Sequence, residues 1–197
     1  MILPILAYGD PVLKKRTSPI TVEYPNIKSI ILNMYDTMYA ANGVGLAAPQ
    51  IGLSIRLFLV DTSPFSDDDS LSASDRNKLK NFKKTFINPE IIEESGKEWS
   101  FNEGCLSIPG IREDVTRKNQ IKIRFQDENF VEKTENFEGL IARVIQHEYD
   151  HIQGILFTDK VSNFKRRLIK SKLASISKGK VFTDYKMRFP KISKKRF

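Results

Sequence analysis

The chain has 197 residues, of which 40% are hydrophobic and 28% charged, and it contains 10 Gly and 9 Pro. This composition indicates a globular protein with one substantial core and excludes a collagen-like, repeat-built or mainly disordered chain. No apolar run approaches the roughly 20 residues that span a bilayer, so we expect no membrane partner. The single Cys cannot form an internal disulfide and the first residues lack a basic leader, so we predict a cytoplasmic protein without a signal peptide.

The net charge of +8 is concentrated at one end of the chain. Residues 164–197 contain 13 Lys/Arg and one acid, Asp184, and therefore carry +12, whereas the preceding residues sum to −4. Such an asymmetry is typical of proteins that bind a polyanion, with nucleic acid as the first candidate and a membrane surface as the second. A solvated basic segment that only aids solubility is the alternative.

The first half of the chain predicts one helix and one strand. Apolar residues recur at three- and four-residue steps between residues 27 and 41: Ile27, Ile30, Ile31, Met34 and Met38. This spacing predicts an amphipathic helix with Asn26 as its N-cap, ended by Asn42-Gly43. The short apolar run at 56–61 predicts a buried strand.

The following stretch, residues 62–84, is polar. Three consecutive acids, at 67–69, are followed by several lysines. We interpret the stretch as an exposed insertion loop with room for a short helix. A calcium site at the acids is a weaker alternative, because the alternating ligand spacing of calcium loops is absent.

The second half of the chain predicts strands and then helices. Four strands are predicted, at 86–94, 98–101, 121–125 and 130–137. A helix from Glu138 to Ile152, with Gly154 just after its end, precedes a short strand near 155–158. A final helix begins at about Ser162 and has an apolar face made of Phe164, Leu168, Ile169 and Leu173. Strands grouped around one apolar helix, rather than alternating with helices, predict an α+β fold without a second domain.

The only two histidines, His147 and His151, lie in the sequence His-Glu-Tyr-Asp-His. At positions i and i+4 of a helix both imidazoles can reach one metal ion, while Glu148 can flank the ion as a general base. The alternative is a pair of exposed histidines beside an unrelated glutamate. It is disfavoured because the surrounding apolar residues predict a buried helix, in which such groups would be costly without partners.

A catalytic metal site of this kind needs a third protein ligand and an open position. No third His exists, but the only Cys does, in Glu-Gly-Cys-Leu-Ser at residues 103–107. Gly104 permits close backbone approach and Pro109-Gly110 predicts a turn, so we expect a strand end that presents Cys105. Two alternatives for Cys105 are an ordinary core residue and a nucleophile paired with His147, and the second leaves the other histidine and the glutamate without a role.

Residues 43–52, Gly-Val-Gly-Leu-Ala-Ala-Pro-Gln-Ile-Gly, form a glycine-bearing loop. Gly43, Gly45 and Ala48 match the loose G-x-G-x-x-A pattern of dinucleotide-binding loops. Those loops follow a strand and open a helix, whereas this segment follows a predicted helix and runs into a proline. We therefore expect no dinucleotide cofactor and interpret the loop as one that lies close to a ligand, with Gln50 offering an amide donor.

Three of these segments together resemble the signature motifs of the peptide deformylase family: 43–52, 103–107 and 146–154. The opening Ile5–Leu13 is also similar to the family's N-terminus, and the resemblance covers about residues 1–170. It implies an α+β fold in which antiparallel β-sheets pack around the central helix bearing His-Glu-x-x-His, with a C-terminal helix. It also implies an enzyme that removes the formyl group from N-formylmethionine of newly made polypeptides. We thus predict one catalytic domain at 1–170 and a basic extension at 171–197.

The resemblance also implies roles for individual residues. The metal ligands would be Cys105, His147 and His151. Glu148 would be the general acid/base, and Gln50 with the backbone N–H of Leu106 would hold the formyl oxygen as it gains negative charge. Ligand softness alone favours zinc, whereas the resemblance implies Fe²⁺, with Zn²⁺, Ni²⁺ or Co²⁺ able to occupy the site.

Seven residues are predicted to contact the substrate: Val44, Gly45, Gly110, Arg112, Leu140, Arg143 and Val144. The aliphatic members would line an apolar slot for the methionine side chain, and backbone groups near the two glycines would pair with the peptide as an added strand. A structural ion pair is the alternative role for Arg143.

A nascent-chain substrate gives the basic C-terminal segment a role, because some deformylases use such an extension to dock near the ribosomal exit. A segment of this charge would contact RNA phosphates. Two competing interpretations are a metallo-endopeptidase with the same helix motif and a basic RNA-binding protein with a structural metal site.

Overall fold

The computed structural model describes residues 1–190. Five α-helices occur in this part of the chain: α1 (Ile27–Ala40), α2 (Ala73–Lys80), α3 (Gly139–Ile152), α4 (Phe157–Lys160) and α5 (Asn163–Ser177). Seven strands occur there: β1 (Ile5–Leu6), β2 (Gly45–Ala47), β3 (Leu57–Asp61), β4 (Lys83–Cys105), β5 (Ile108–Gln126), β6 (Glu132–Glu138) and β7 (Met187–Arg188). Short 3₁₀ helices lie at Pro11–Lys14, Ala48–Ile51 and Ser63–Asp67. The α+β prediction is confirmed.

The main sheet has five antiparallel strands in the order β2-β3-β4-β5-β6. A second, two-stranded sheet pairs β1 with β7 in parallel. Strands β4 and β5 form a long hairpin that ends in a turn at Leu106–Ser107. The strands predicted at 86–94 and 98–101 are one strand, because β4 absorbs the break at Gly96 as a shift of register without leaving its partner.

Helix α3 packs one side against the main sheet. That side and the strands beneath it share a buried cluster, which includes Phe58, Phe86, Ala142, Ile145 and Ile152. Just beyond the helix, Gly154 adopts a φ of +75° and its N–H donates to the carbonyl of His151, as predicted for a glycine in this position. Because its apolar side packs on the main sheet, the orientation of α3, and therefore of its polar side chains, is fixed.

Helix α1 and strand β3 match the predicted helix at 27–41 and the predicted buried strand at 56–61. Asn26 is the N-cap residue of α1, as predicted. Asn26 occupies the N-cap position with a left-handed φ of 58°, but its side chain makes no capping hydrogen bond. Its backbone carbonyl instead accepts from the N–H of Ile30.

Residues 62–84 contain the third 3₁₀ helix and α2, and most of their side chains are exposed. The buried exceptions are Thr62, Leu79 and Phe82, and the carbonyl of Leu79 accepts a hydrogen bond of 2.8 Å from the Thr62 hydroxyl. This contact ties α2 to the end of β3. Strand β4 already begins at Lys83.

Two local predictions near the centre of the fold are wrong. Pro109 and Gly110 lie inside β5, where Gly110 has a φ of +71°, and the turn falls three residues earlier. A strand near 155–158 does not form, because Asp159 accepts a hydrogen bond from the N–H of Leu156 and starts the short helix α4.

Helix α5 begins after Ser162, close to the predicted start, and runs through residue 170 to Ser177; the Ser162 hydroxyl caps it by accepting from the N–H of Lys165. The predicted apolar face is partly wrong, because Phe164 and Leu168 are exposed. The buried residues of α5 are Ile169, Leu173 and Ile176. The predicted basic extension at 171–197 therefore starts inside a packed helix, and its last residues, 191–197, lie outside the described part.

None of the helices in residues 1–190 combines the length and the apolar character needed to cross a membrane.

Candidate metal centre and active-site cavity

Three side chains from two elements meet near the turn of the β4–β5 hairpin. Cys105 is the last residue of β4, and His147 and His151 lie one turn apart on α3. Their ligand atoms all lie within 4.8 Å of one another, and Cys105 Sγ is 3.3 Å from His151 Nε2. The fold thus brings together the three residues that the sequence predicts as metal ligands.

The chemistry of these donors fits a divalent transition-metal ion. One thiol and two imidazoles suit zinc and ferrous iron, and three protein ligands leave a coordination position open. Burial lowers the pKa of His151 well below its ordinary value, so this imidazole is held in the neutral form that binds metals. Its Nδ1 atom is buried and has no hydrogen-bond partner within residues 1–190.

Glu103, which sequence reasoning missed, orients the other histidine. Its carboxylate accepts a 2.9 Å hydrogen bond from His147 Nδ1 and so leaves Nε2 for the ligand cluster. Burial alone would raise the pKa of Glu103, but Arg117 and His147 hold it well below its usual range. The available signal was its position two residues before Cys105, which places both side chains on the same face of a strand.

Arg117 of β5 joins this carboxylate to α3. Its Nε and Nη2 atoms donate to Glu103 at 2.7 and 3.0 Å, and its Nη1 atom donates to Asp150 at 2.7 Å. All three residues are buried, so the charges are compensated where water cannot screen them. The result is a rigid connection between the hairpin and the helix that carries both histidines.

Arg143 belongs to the same network. It is 1% exposed, and its Nη1 atom donates to Glu103 and to the carbonyl of Val115, each at 2.9 Å. Its Nη2 atom donates to the carbonyl of Trp99 at 2.7 Å, and the guanidinium lies over the Trp99 ring. These contacts are those of the structural ion pair that the sequence analysis kept as the alternative.

Glu148 lies beside the ligand cluster and is buried. Its Oε2 atom has no hydrogen-bond partner within residues 1–190, and burial raises its pKa to about 7. Strand β2 passes so close that a Cβ atom on Gly45 would collide with this carboxylate. Gly45 therefore makes room for Glu148, and the predicted pairing of its backbone with a peptide stays a prediction.

Gln50 lies in the 3₁₀ helix after β2, and its side-chain amide has a fixed orientation. The N–H of Ala47 donates to Gln50 Oε1 at 2.8 Å, which turns Nε2 towards the metal centre. Nε2 is 3.5 Å from Cys105 Sγ and 3.3 Å from the hydroxyl of Ser107. The backbone amide of Leu106 lies between these two residues on the turn.

A cavity of about 640 Å³ opens onto this centre. Its walls include most of the predicted site residues: Val44, Gly45, Gln50, Cys105, Leu106, Gly110, Arg112, Arg143, Val144, His147 and Glu148. Leu140 is half-buried and is not part of the walls, to which α3 contributes from Arg143 onwards, and its predicted substrate contact stays a prediction. Arg112 is held along the hairpin by the side chain and carbonyl of Asn102.

Other residues line the cavity without having been predicted. Phe101 precedes the Glu-Gly-Cys segment on β4, and Phe65 comes from the 62–84 stretch. Four residues from beyond α5 also contribute, at 182–185. Tertiary packing brings these residues to the cavity, and no local sequence pattern predicts their position.

A thiol and two imidazoles beside a buried carboxylate, at the wall of a cavity, define the class of metal-dependent hydrolases. The comparison with known families narrows this class. The family model described as polypeptide deformylase matches residues 2–167. The chain belongs to this family, whose members are metal-dependent enzymes that remove N-formyl groups from nascent peptides, and it is therefore an enzyme.

Individual relatives agree with this. A peptide deformylase of Flavobacterium johnsoniae is 62% identical over 196 residues, with 100% of both chains covered, and one of Christiangramia forsetii is 61% identical with the same coverage. A crystal structure of a peptide deformylase from Legionella pneumophila is 36% identical, has a TM-score of 0.76, and covers 90% of this chain and 96% of its own. The metallo-endopeptidase alternative is not favoured.

Proposed function

We propose that this enzyme hydrolyses the formyl–nitrogen bond of N-formylmethionine at the N-terminus of newly synthesised polypeptides, with one Fe²⁺ held by three side chains. The supporting observation is the convergence of the ligand atoms of Cys105, His147 and His151 within 4.8 Å at the wall of the cavity that also contains Glu148. Water adds to the formyl carbon, the carbon–nitrogen bond breaks, and the products are formate and a free amino terminus.

When bound, the ion supplies Lewis-acid activation of water and polarises the formyl carbonyl. The thiol and imidazoles would suit zinc, nickel or cobalt as well, and the choice of Fe²⁺ follows the family resemblance. Iron and Cys105 are both open to oxidation. Activity of an iron-loaded sample should therefore decay in air and return on anaerobic reloading, whereas activity indifferent to oxygen would favour zinc.

Glu148 would be the general base and then the general acid. Its carboxylate takes a proton from the attacking water and delivers it to the departing amine nitrogen. A pKa of about 7 suits both steps at neutral pH, because the group accepts and returns a proton at similar cost. Oε2 has no hydrogen-bond partner within residues 1–190, and this leaves the atom free for the water.

Gln50 and the backbone N–H of Leu106 would hold the formyl oxygen as it gains negative charge. Such donors are effective when they point at the developing charge before the reaction starts. The hydrogen bond from Ala47 to Gln50 Oε1 provides this fixed orientation for the Gln50 amide. The donors therefore need little reorganisation during the reaction.

The methionine side chain would occupy the apolar part of the cavity, between Val44 and Val144. Backbone groups at Gly110, where the surrounding space is open, would pair with the peptide. Arg112, tethered to Asn102, would face the following residues of the substrate. Because these contacts recognise the first residue and the backbone of the substrate, the enzyme should accept many different side chains at the later positions.

Formate release from formyl-Met-Ala-Ser by the metal-loaded protein tests the proposal. We expect turnover with the formylated peptide, no cleavage of Met-Ala-Ser or of a longer internal peptide, and loss of turnover in Glu148→Ala. Cleavage of internal bonds would support an endopeptidase instead. A protein that binds metal but releases no formate would contradict the proposal.

We further infer that residues 1–170 form the catalytic domain and that the protein works in the cytoplasm. We also infer that the basic C-terminal segment, residues 164–197, contacts ribosomal RNA; this segment begins inside α5 and so overlaps the end of the catalytic domain. Helix α5 exposes Arg167 and Lys170 beside the apolar Phe164 and Leu168. The double variant Arg167→Glu/Lys170→Glu should bind ribosomes less tightly in sedimentation at low salt, with unchanged formate release. The control is the double variant Lys78→Glu/Lys80→Glu, which makes the same charge reversal on α2. An equal loss of ribosome binding in the two double variants would contradict the role of α5.

A further inference from the structure

The chain beyond α5 returns to the active-site cavity. We call residues 178–190 the C-terminal strap. Its strand β7 pairs with β1, with the N–H groups of Ile5 and Ala7 donating to the carbonyls of Lys186 and Arg188 at 2.9 Å each. This pairing brings residues 182–185 to the wall of the cavity that contains Cys105 and Glu148.

One residue of the strap contacts the hairpin turn directly. The hydroxyl of Tyr185 donates a 2.7 Å hydrogen bond to the carbonyl oxygen of Leu106. The Tyr185 ring is partly buried against the cluster that also holds Leu106. The carbonyl of Tyr185 in turn accepts a 2.9 Å hydrogen bond from the Thr183 hydroxyl, which shapes the strap at this point.

The turn that carries Leu106 is short, and residues outside the β4–β5 hairpin hold it by hydrogen bonds. Besides the bond from Tyr185, the carbonyl of Ser107 accepts a 2.8 Å hydrogen bond from the N–H of Tyr8. The Ser107 hydroxyl contacts Gln50 Nε2 at 3.3 Å. The Leu106 carbonyl and the Leu106 N–H belong to peptide planes joined at one Cα atom, so fixing the carbonyl limits the rotation of the N–H.

We propose that Tyr185 is a positioning residue that acts through Leu106. Its hydroxyl holds the turn so that the Leu106 N–H points into the cavity, where the formyl oxygen gains negative charge. This inference rests on the proposed function and extends it to a segment outside the matched residues 2–167. The strap is then a part of the active site, and its contribution is the orientation of a backbone donor.

The expected effect is selective for the chemical step. Losing a donor altogether typically lowers the rate by about 10²–10³. In Tyr185→Phe the donor remains and two other contacts still hold the turn, so we expect kcat to fall by only about 10-fold. KM should change by less than about two-fold, because the contact strengthens binding of the developing charge rather than of the substrate.

The chain offers a control with the same chemical change. The hydroxyl of Tyr39 also donates one 2.7 Å hydrogen bond, but to the carboxylate of Asp61 at the end of β3, and neither residue lines the cavity. Tyr39 is 43% exposed, so Tyr39→Phe removes a tyrosine hydrogen bond of the same length from a more exposed position. We expect its shift of melting temperature to be no larger than that of Tyr185→Phe, and its kcat to equal that of the unmodified protein.

The experiment measures kcat and KM for formyl-Met-Ala-Ser, the melting temperature, and hydrogen–deuterium exchange of a peptide that spans residues 103–110. Faster exchange there in Tyr185→Phe, and not in Tyr39→Phe, would support positioning of the turn independently of turnover. Unchanged kcat or unchanged exchange in Tyr185→Phe, or an equal fall of kcat in both variants, would overturn the inference while leaving the proposed function intact. Absence of formate release from the unmodified protein would overturn both.

Discussion

The two long strands β4 and β5 carry ion pairs of two kinds. Near the turn, the side chains of Glu103 and Arg117 are 3% and 4% exposed and contact the helix with the histidines. Far from the turn, the side chains of Glu90 and Arg124 are 57% and 49% exposed and form an ion pair with each other across the strands. The same hairpin therefore has a buried charged end and a solvated charged end.

The difference shows what each kind of pair is for. Removing two charges from water costs several kcal/mol, and their attraction recovers this only when geometry and hydrogen bonding are nearly complete. At the buried end Glu103 accepts from His147 and Arg117 donates to Asp150 of α3, so the network fixes His147 and holds α3 against β5. At the exposed end the pair adds little and constrains nothing at the site. Variants at the two ends should therefore separate stability from function.

The largest effect is expected for Glu148→Gln, which removes the acid/base group from the buried end. Turnover of formyl-Met-Ala-Ser should fall by about 10²–10⁴, the usual contribution of a positioned general base. The melting temperature of the metal-loaded protein should stay the same or rise, because an incompletely bonded carboxylate leaves a buried position. Kinetics and thermal unfolding on one preparation check both. Near-normal turnover would remove Glu148 from the mechanism.

Glu103→Gln breaks the buried network itself. The change keeps the shape of the side chain but leaves Arg117 and Arg143 without their shared counter-charge. We expect the free energy of unfolding to fall by about 3–5 kcal/mol in denaturant titrations. Metal affinity should fall by about 10–100-fold, because His147 loses the partner that orients it. A loss of stability with unchanged metal affinity would show that Glu103 supports the fold and not the metal centre.

The sequence pattern predicted the candidate metal ligands at the buried end of the hairpin, but not Glu103 and Arg117, which hold these ligands in place. The two histidines predict a metal site because residues four apart on a helix share one face. The lone cysteine is predicted as the third ligand because a catalytic metal site needs three protein ligands. Glu103 lies in β4, and its contact with His147 exists only because β4 packs against α3. Arg117 lies in β5, and its contacts with Glu103 of β4 and Asp150 of α3 likewise exist only in the folded protein. Such contacts depend on tertiary packing, which the local sequence does not encode.

The same limit explains the errors in the fold. Pro109-Gly110 is a typical turn signal, but the hairpin turns at Leu106–Ser107 because that register places Cys105 opposite Ile108. Phe164 and Leu168 fit a helical stripe, yet the stripe that packs is the adjacent one through Ile169. The helices, the main strands and the α+β class follow from periodicity, since burial of one face is a local property.

Gln50→Leu tests the donor that faces the metal centre from the opposite wall of the cavity. Turnover should fall by about 10²–10³, as for loss of one donor to a developing oxyanion. The metal content should not change, because the amide is not among the three ligands. The free energy of unfolding should fall by about 1–3 kcal/mol, less than in Glu103→Gln, because the buried N–H of Ala47 loses its acceptor. Metal analysis together with kinetics makes the check. Loss of the metal along with turnover would contradict a donor role.

The smallest effect is expected at the solvated end of the hairpin. Glu90→Gln removes one partner of an exposed pair, whose water-accessible charges are already screened, so the free energy of unfolding should fall by only about 0–1 kcal/mol. Turnover and metal content should equal those of the unmodified protein. Because Glu90→Gln and Glu103→Gln are the same chemical change on the same strand, the ratio of their effects on unfolding measures burial together with the larger number of partners of Glu103. A Glu90→Gln variant as unstable as Glu103→Gln would mean that the hairpin transmits strain along its whole length, and the separation between its two ends would not hold.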